Sequence, residues 1–424
     1  MDKRVFVLGI DGFPFSLINN NHIKKVMPYL HFLCEKYNAK QLESVYPVVS
    51  SVAWTSFFTG SNPGEHNIYG FTDRICNPFK VTITTSKDRQ KTPIWNTLNT
   101  KKKKIIINVP LTYPPEQING YMVSCFLCPS INNASFPKDF NNYLKEKEYI
   151  IDVDARLVHN NPQEFLNQLI KAMNKRFEIA NKLLIEDWDY FQLHIMETDR
   201  LFHFFWDYIS QKKNDELDCL IETFFSQLDK NICYLINSLI SNSAIIILSD
   251  HGFCSIKEEV QLNKWLQNNN YLKLSNEKSL NNYNKNTICY ALTPGRIYFN
   301  LKNREEKGVI SSNYNDLRQE IKNKLEKWYH PVTRDKIIDK VFFKEEIYKG
   351  KYTNNSPDII VHPHHGYDLK SDLNCDGLFT KSALKGMHTY DNALILGINI
   401  DISQIKKIDK AFHIIKDYIE NEII

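Results

Sequence analysis

The chain has 424 residues and a formal net charge of +4; 42% of it is hydrophobic and 24% charged. Those fractions are ordinary for a globular protein, and 14 Gly with 16 Pro exclude collagen-like or Pro/Gly-driven disorder. A chain this long buries a large core without needing disulfides or a metal merely to fold. So small a positive excess excludes a strongly basic nucleic-acid binder. No apolar run reaches the roughly 18 residues of a transmembrane helix.

The first expected strand is Arg4 to Ile10. Basic residues before an apolar run mimic a signal peptide, but Asp11-Gly12 follows and no small-residue cleavage site is present. A strand apolar at successive positions is buried on both faces, as in parallel sheets. Similar strands are predicted at Lys104 to Val109, Tyr190 to Met196, Ala244 to Ser249, Asp358 to His362 and Ala393 to Gly397. Lys101 to Lys104 reads as a solvated approach to the second of these. Helical periodicity marks Gln163 to Leu184, Leu217 to Ser238 and Ile405 to Ile423. Strands alternating with helices predict an α/β fold with a mainly parallel sheet.

From about 255 to 350 the chain is rich in Asn and Lys, with shorter apolar runs. We read 255–350 as an insertion or cap subdomain, and 1–254 with 351–424 as the catalytic core. Nine scattered cysteines, an odd number, predict reduced thiols and a cytoplasmic setting. Cys125 and Cys128 form an isolated C-x-x-C with no second pair, a weak signal for zinc or redox chemistry.

In open α/β sheets, ligands sit beyond the carboxyl ends of the strands. The first strand ends at Asp11, another at Asp250-His251, and a third runs into Asp199. Each Asp alone reads equally as a helix cap or turn residue. Asp199 and His203 are four apart, which places both on one helix face within reach of one ion. The alternatives for His203, among Phe202, Phe204, Phe205 and Trp206, are a ligand or a hydrogen-bonded core histidine. Ser50 is placed to cap a short helix that Gly60 terminates. A hydroxyl there sits where backbone N–H groups and the helix dipole favour an anion, which suits a nucleophile attacking phosphorus. Gly386-Met387-His388 adds a loop histidine, and His362-Pro363-His364-His365 reads as a surface loop.

These motifs fall in a telling order. Leu8-Gly9-Ile10-Asp11-Gly12, Pro47 to Gly60 running on to His66, Thr198 to His203, Ser249-Asp250-His251-Gly252-Phe253 and Gly386-Met387-His388 together resemble the type I phosphodiesterase/nucleotide pyrophosphatase branch of the alkaline phosphatase superfamily. Within it the chain looks like the microbial predicted phosphohydrolase or phosphomutase group. Pro110 to Glu116 and Glu346 to Tyr352 are also similar, so the likeness spans nearly the whole chain.

The resemblance implies an alkaline-phosphatase-like three-layer sandwich and a site for two divalent metal ions. One ion would take Asp199, His203 and His388; the other Asp11, Ser50, Asp250 and His251. Zn²⁺ suits such mixed imidazole and carboxylate ligands, with Mn²⁺ the alternative. Ser50 would be the nucleophile and form a phosphoseryl-type intermediate. Many relatives carry Thr at that position, and an Asn downstream holds the phosphoryl oxygen. Here Phe71 stands in that register, so backbone N–H groups, Asn67 or Arg200 are the expected substitutes.

A small-molecule phosphodiester or pyrophosphate is the implied substrate, with a phosphomonoester or a phosphomutase reaction as the alternative. A mutase-type insertion between the Ser50 and Asp199 segments is not evident, and Ser50 to Trp54 lacks the sulfatase C/S-x-P-x-R frame. A metal-binding pseudoenzyme is the reading from another class. No stable nucleic-acid or membrane partner is expected.

Overall fold

Val5–Ile10 is apolar throughout, and successive side chains of a strand point to opposite faces. Phe6, Leu8 and Ile10 join one apolar cluster, while Val5 and Val7 join another. A strand buried on both sides belongs in the middle of a layered sheet. The computed structural model describes residues 3–213, 215–275 and 278–420. In it this strand is central to an eight-stranded sheet.

The sheet order is Lys40–Leu42, Ala393–Ile398, Ala244–Leu248, Val5–Ile10, Tyr190–Ile195, Lys104–Ile107, Gly120–Val123 and Ser135–Phe136. The five strands from Ala244–Leu248 to Gly120–Val123 run parallel. Ala393–Ile398 and Ser135–Phe136 run antiparallel to their neighbours. Helices cover both faces, which is the expected α/β architecture.

One face carries helices Pro162–Leu183 and Glu216–Leu239. The first buries Phe165, Leu169, Met173, Phe177 and Ala180, a spacing of three to four residues that makes one apolar stripe. Asn161 and Asp215 cap the two helices by accepting N–H groups of their first turns. The other face carries helices Ser50–Thr59 and Ala411–Glu420. Lys104 opens its strand but is buried, its Nζ donating to the Asn99 carbonyl at 2.8 Å, so the solvated approach ends at Lys103; Lys102 and Lys103 pair with Asp189 and Asp187.

Two expected elements differ. The last helix begins at Ala411, after a 3₁₀ turn at Ile408–Lys410, not at Ile405. The N–H of Glu43 donates to Lys406 and that of Ile408 to Glu43, so the backbone there bonds sideways and cannot close i→i−4 rings. Positions 421–423 of the expected helix lie outside the described residues. The strand expected at 358–362 forms at Ile359–Pro363, but outside the parallel sheet. It lies antiparallel between Arg296–Phe299 and Ile338–Phe343 in a second sheet of four strands. Burial on both faces made it read as a core strand; a second core explains that burial.

That second core is an apolar cluster spanning Val260 to Leu373, joined by Phe79. It packs against the four-stranded sheet and a three-stranded one, in which Glu258–Gln261 lies between Tyr367–Lys370 and Phe379–Thr380. All nine cysteines are free thiols; Cys125 and Cys128 are buried. Among the described residues, no helix is long and apolar enough to cross a membrane.

Candidate active site

Asp11 ends the central strand, and Gly12 turns the chain at φ +67°, where L side chains are strained. A Cβ on Gly12 would also stand 2.4 Å from the Phe253 ring. Asp250 and His251 end the neighbouring strand. Asp250 Oδ1 accepts the Gly12 N–H at 3.1 Å, which ties the two strand ends together. Asp199 and His203 lie one turn apart on helix Glu197–Ser210, as their spacing requires.

His388 arrives from far along the chain. Its strand, Gly386–Thr389, pairs antiparallel with Gly252–Ser255, with His388 opposite Phe253. That pairing stacks the His388 and His251 rings, centroids 3.6 Å apart. Phe253 packs against His203, His251 and His388 at 5.0–5.6 Å. One aromatic ring thus supports three imidazoles.

The donors form two groups, Asp199 with His203 and His388, and Asp11 with Asp250 and His251. Each histidine spends its Nδ1–H on a backbone carbonyl: His203 on Gly386 at 2.9 Å, His251 on Gly252 at 3.2 Å and His388 on Val48 at 3.2 Å. All three Nε2 lone pairs are thereby free for the site. The Nε2 atoms of His203 and His388 face each other at 3.0 Å. Asp250 Oδ2 is buried with no hydrogen-bond partner. Facing lone pairs and a bare buried carboxylate oxygen fit a cation between them, so the residues present suit divalent metals.

The titration shifts have the same origin. Burial pushes His251 down to about 3 and His203 down to about 4, the former helped by the His388 charge. Burial followed by the Asp11 charge holds Asp250 well above the carboxylate range. Burial also opposes the charged forms of Asp199 and His388. The His203 charge, and after it the contact with His388, outweigh burial and lower Asp199; the Asp199 contact and charge outweigh it at His388 and raise that imidazole.

Ser50 is the first residue of helix Ser50–Thr59, and the cap is Val49. The expected serine cap is therefore corrected: Ser50 Oγ makes no capping bond. It donates to Asp11 Oδ1 at 3.2 Å and lies 3.2 Å from His251 Nε2. Gly60 does end the helix, at φ +61°. Residues the sequence reading missed lie just behind. His194 Nε2 and Trp54 Nε1 donate to Asp11 Oδ2 at 2.7 and 3.1 Å, and Thr198 Oγ1 donates to the Asp11 carbonyl at 2.6 Å. The signal was a histidine inside an apolar strand, Tyr190–Ile195, where an unpaired ring would be costly.

A cavity of about 300 Å³ opens over Ser50, Asp11, Asp199, His203 and His388. Phe71 lines it, edge-on to Phe126 at 5.3 Å, so an apolar wall stands in the register of the usual Asn. Arg200 also lines it, with its guanidinium on Asp152 at 2.8 Å and its buried Nε without a partner. Asn67 does not reach the cavity. It ends the short helix Pro63–His66 at φ +64° and accepts from Asn355 Nδ2 at 3.0 Å. An Asn after a helical turn serves as a left-handed cap.

His362 corrects the surface-loop reading. It sits on a strand, lines the cavity, packs edge-on to Tyr46 at 5.1 Å, and is pushed down to about 4 by burial. Asp368 and Lys370, also unforeseen, line the cavity from strand Tyr367–Lys370.

The model of the family described as type I phosphodiesterase/nucleotide pyrophosphatase matches residues 5–391. No curated protein matches the chain by sequence. Among solved structures, phosphonoacetate hydrolase from Sinorhizobium meliloti 1021, in complex with phosphonoformate, is similar at 15% identity. The alignment covers 99% of this chain and 96% of that one, with a TM-score of 0.66. An inactive form of murine ectonucleotide pyrophosphatase/phosphodiesterase 5 with AMP is similar at 15% identity, covering 99% and 95%, with a TM-score of 0.57. The human counterpart is similar at 16% identity, covering 93% and 87%, with a TM-score of 0.51. At such identities the likeness is one of fold, while the family match spans most of the chain. This chain belongs to the type I phosphodiesterase/nucleotide pyrophosphatase family, and it is a hydrolase.

Proposed function

We propose that the chain is a two-metal phosphohydrolase that cleaves a phosphodiester or pyrophosphate bond through a covalent phosphoseryl-type intermediate on Ser50. One observation carries it: Ser50 Oγ lies 3.2 Å from both Asp11 Oδ1 and His251 Nε2, beside a second donor group on Asp199, His203 and His388. Asp11, Ser50, Asp250 and His251 would hold one ion and the other three side chains the second, Zn²⁺ or Mn²⁺ by ligand type. Such ions, when bound, lower the pKa of the serine hydroxyl and stabilise charge on the leaving oxygen.

The chain's residues do the positioning. Asp11 takes the hydrogen bond of the Ser50 hydroxyl and thereby aims a lone pair into the cavity. Attack forms the Oγ–phosphorus bond and breaks the bond to the leaving alcohol or phosphate; the hydroxyl proton passes to Asp11 and on to the leaving oxygen. Water then breaks the Oγ–phosphorus bond, its oxygen staying on phosphorus and one of its protons returning to Ser50 Oγ. In helix Ser50–Thr59 the Val52 and Ala53 N–H groups both donate to the Val49 carbonyl at 3.0 Å, and the earlier N–H groups of Ser50 and Ser51 offer donors for the phosphoryl oxygen in place of Asn. Arg200, which lines the cavity, is the further candidate donor. The unit outside the central sheet, bounded at 255 and 350 in the sequence reading, is proposed as a cap that also takes in the strands Ile359–Pro363 and Tyr367–Lys370. Thr293, Pro294, Val361 and Lys370 contribute to the cavity wall from that side.

The test is hydrolysis of bis-p-nitrophenyl phosphate and p-nitrophenyl phosphate by the Zn²⁺- or Mn²⁺-supplemented protein, with Ser50→Ala as control. The expected outcome is diester turnover that falls at least about 1000-fold in the variant. A monoester preference would move the reading to a phosphatase or mutase. Metal binding with no Ser50-dependent turnover would identify a pseudoenzyme.

A further inference from the structure

The cavity receives two cationic side chains, and neither is free. Lys370 Nζ is bound by Asp368 at 2.6 Å, two residues back on the same face of strand Tyr367–Lys370. Arg200 is bound by Asp152 at 2.8 Å. Both acid–base pairs are mostly shielded, with side-chain exposures of 25% and 15% for Lys370 and Asp368, and 25% and 28% for Arg200 and Asp152. Each pair brings net zero charge to the cavity wall.

That balance bears on the substrate. A phosphomonoester carries up to two negative charges and a diester one. Enzymes for monoesters need a further cation aimed at the additional charge. Here both side chains that could supply one are already neutralised. Asp368 and Lys370 line the same cavity as Ser50, Asp199, His203 and His388. The remaining wall near Phe71 and Phe126 is apolar and suits an esterified oxygen better than a bare anionic one.

We propose that Asp368 is a specificity determinant: by neutralising Lys370 inside the cavity, it selects monoanionic phosphodiesters over dianionic monoesters. Asp152 does the same for Arg200. The proposal rests on the phosphohydrolase reading above and deepens it. Asp368 touches no reacting atom; it acts through Lys370.

The test uses the full metal-supplemented chain with Asp368→Asn and, separately, Lys370→Met. Releasing Lys370 in Asp368→Asn adds an uncompensated positive charge to the wall of the cavity that Ser50 also lines. The monoester-to-diester ratio of kcat/KM should rise about tenfold, as should affinity for inorganic phosphate measured by calorimetry. In Lys370→Met the uncompensated Asp368 carboxylate should lower the same ratio and weaken phosphate binding, again by about tenfold. Asp368→Asn/Lys370→Met should return both quantities to near the wild-type values. A ratio and a phosphate affinity unchanged within about twofold in folded single variants would overturn the proposal. Should Asp368→Asn not fold, the Lys370→Met result decides alone. Absence of Ser50-dependent turnover in the wild type would instead overturn the hydrolase mechanism, and the phosphate affinities would still decide the charge argument.

Discussion

At the scale of the residue, the site depends on how Asp11 is held. Its Oδ2 receives His194 and Trp54, which leaves Oδ1 for Ser50. Trp54 is buried within the same helix that begins with Ser50, so one element supplies both the proposed nucleophile and the group that orients its partner. Trp54→Phe keeps most of the volume and removes the N–H. We expect it to lower metal affinity or kcat/KM by about 10–100-fold, as loss of an orienting partner does at metal sites. Competition with a chromogenic chelator, alongside diester kinetics, would measure both. Unchanged values would show that His194 alone suffices.

At the scale of the element, helix Ser50–Thr59 must be fixed at its far end to aim Ser50. His66 does this from the next turn. Its Nδ1 accepts the Ile68 N–H at 3.1 Å, so the proton is on Nε2 and donates to Ser56 Oγ at 3.0 Å. Burial, with the nearby Arg89 charge, pushes His66 from 6.5 down to about 3. The folded state thus disfavours a proton that the unfolded chain accepts. Stability from this residue is complete above pH 6.5 and is lost as pH falls towards 3. His66→Gln removes that titration. From pH 7 to pH 5 the wild type should lose about 2 kcal/mol more than the variant in urea unfolding. The other buried histidines titrate in both proteins and cancel in the comparison. Parallel losses would refute the role.

At the scale of the whole molecule, two cores must stay in register for the cavity to exist. A hairpin of Thr72–Cys76 and Phe79–Ile83, soon after helix Ser50–Thr59, reaches into the second core through Phe79. Its Arg74 pairs with Glu305 at 3.2 Å, and both side chains are almost fully buried. Glu305 also accepts from Arg304 Nε and Tyr290, at 3.1 Å each. Removing one member of a buried pair leaves an uncompensated charge. Glu305→Gln should cost about 3–5 kcal/mol in urea or thermal unfolding. A loss below about 1 kcal/mol would mean that the units are held by apolar packing alone.

The sequence by itself determined the local elements and the chemistry of the candidate site. Apolar runs such as Val5–Ile10, Tyr190–Ile195 and Ala244–Leu248 can only be interior strands, and their carboxyl ends hold Asp11 and Asp250 by chain order alone. Helical spacing places Asp199 and His203 on one face whatever surrounds them. Family resemblance then implied His388 as a ligand and Ser50, already a candidate by its helix position, as the nucleophile. Only the tertiary structure decided the rest. Periodicity does not say which sheet a strand joins, so Ile359–Pro363 read as part of the wrong one. It brought His362, Asp368 and Lys370 to the cavity, whereas Asn67 remained a local cap. Those placements follow from long-range pairing and burial. The energies that set them come from contacts between residues hundreds of positions apart, and no local pattern encodes them.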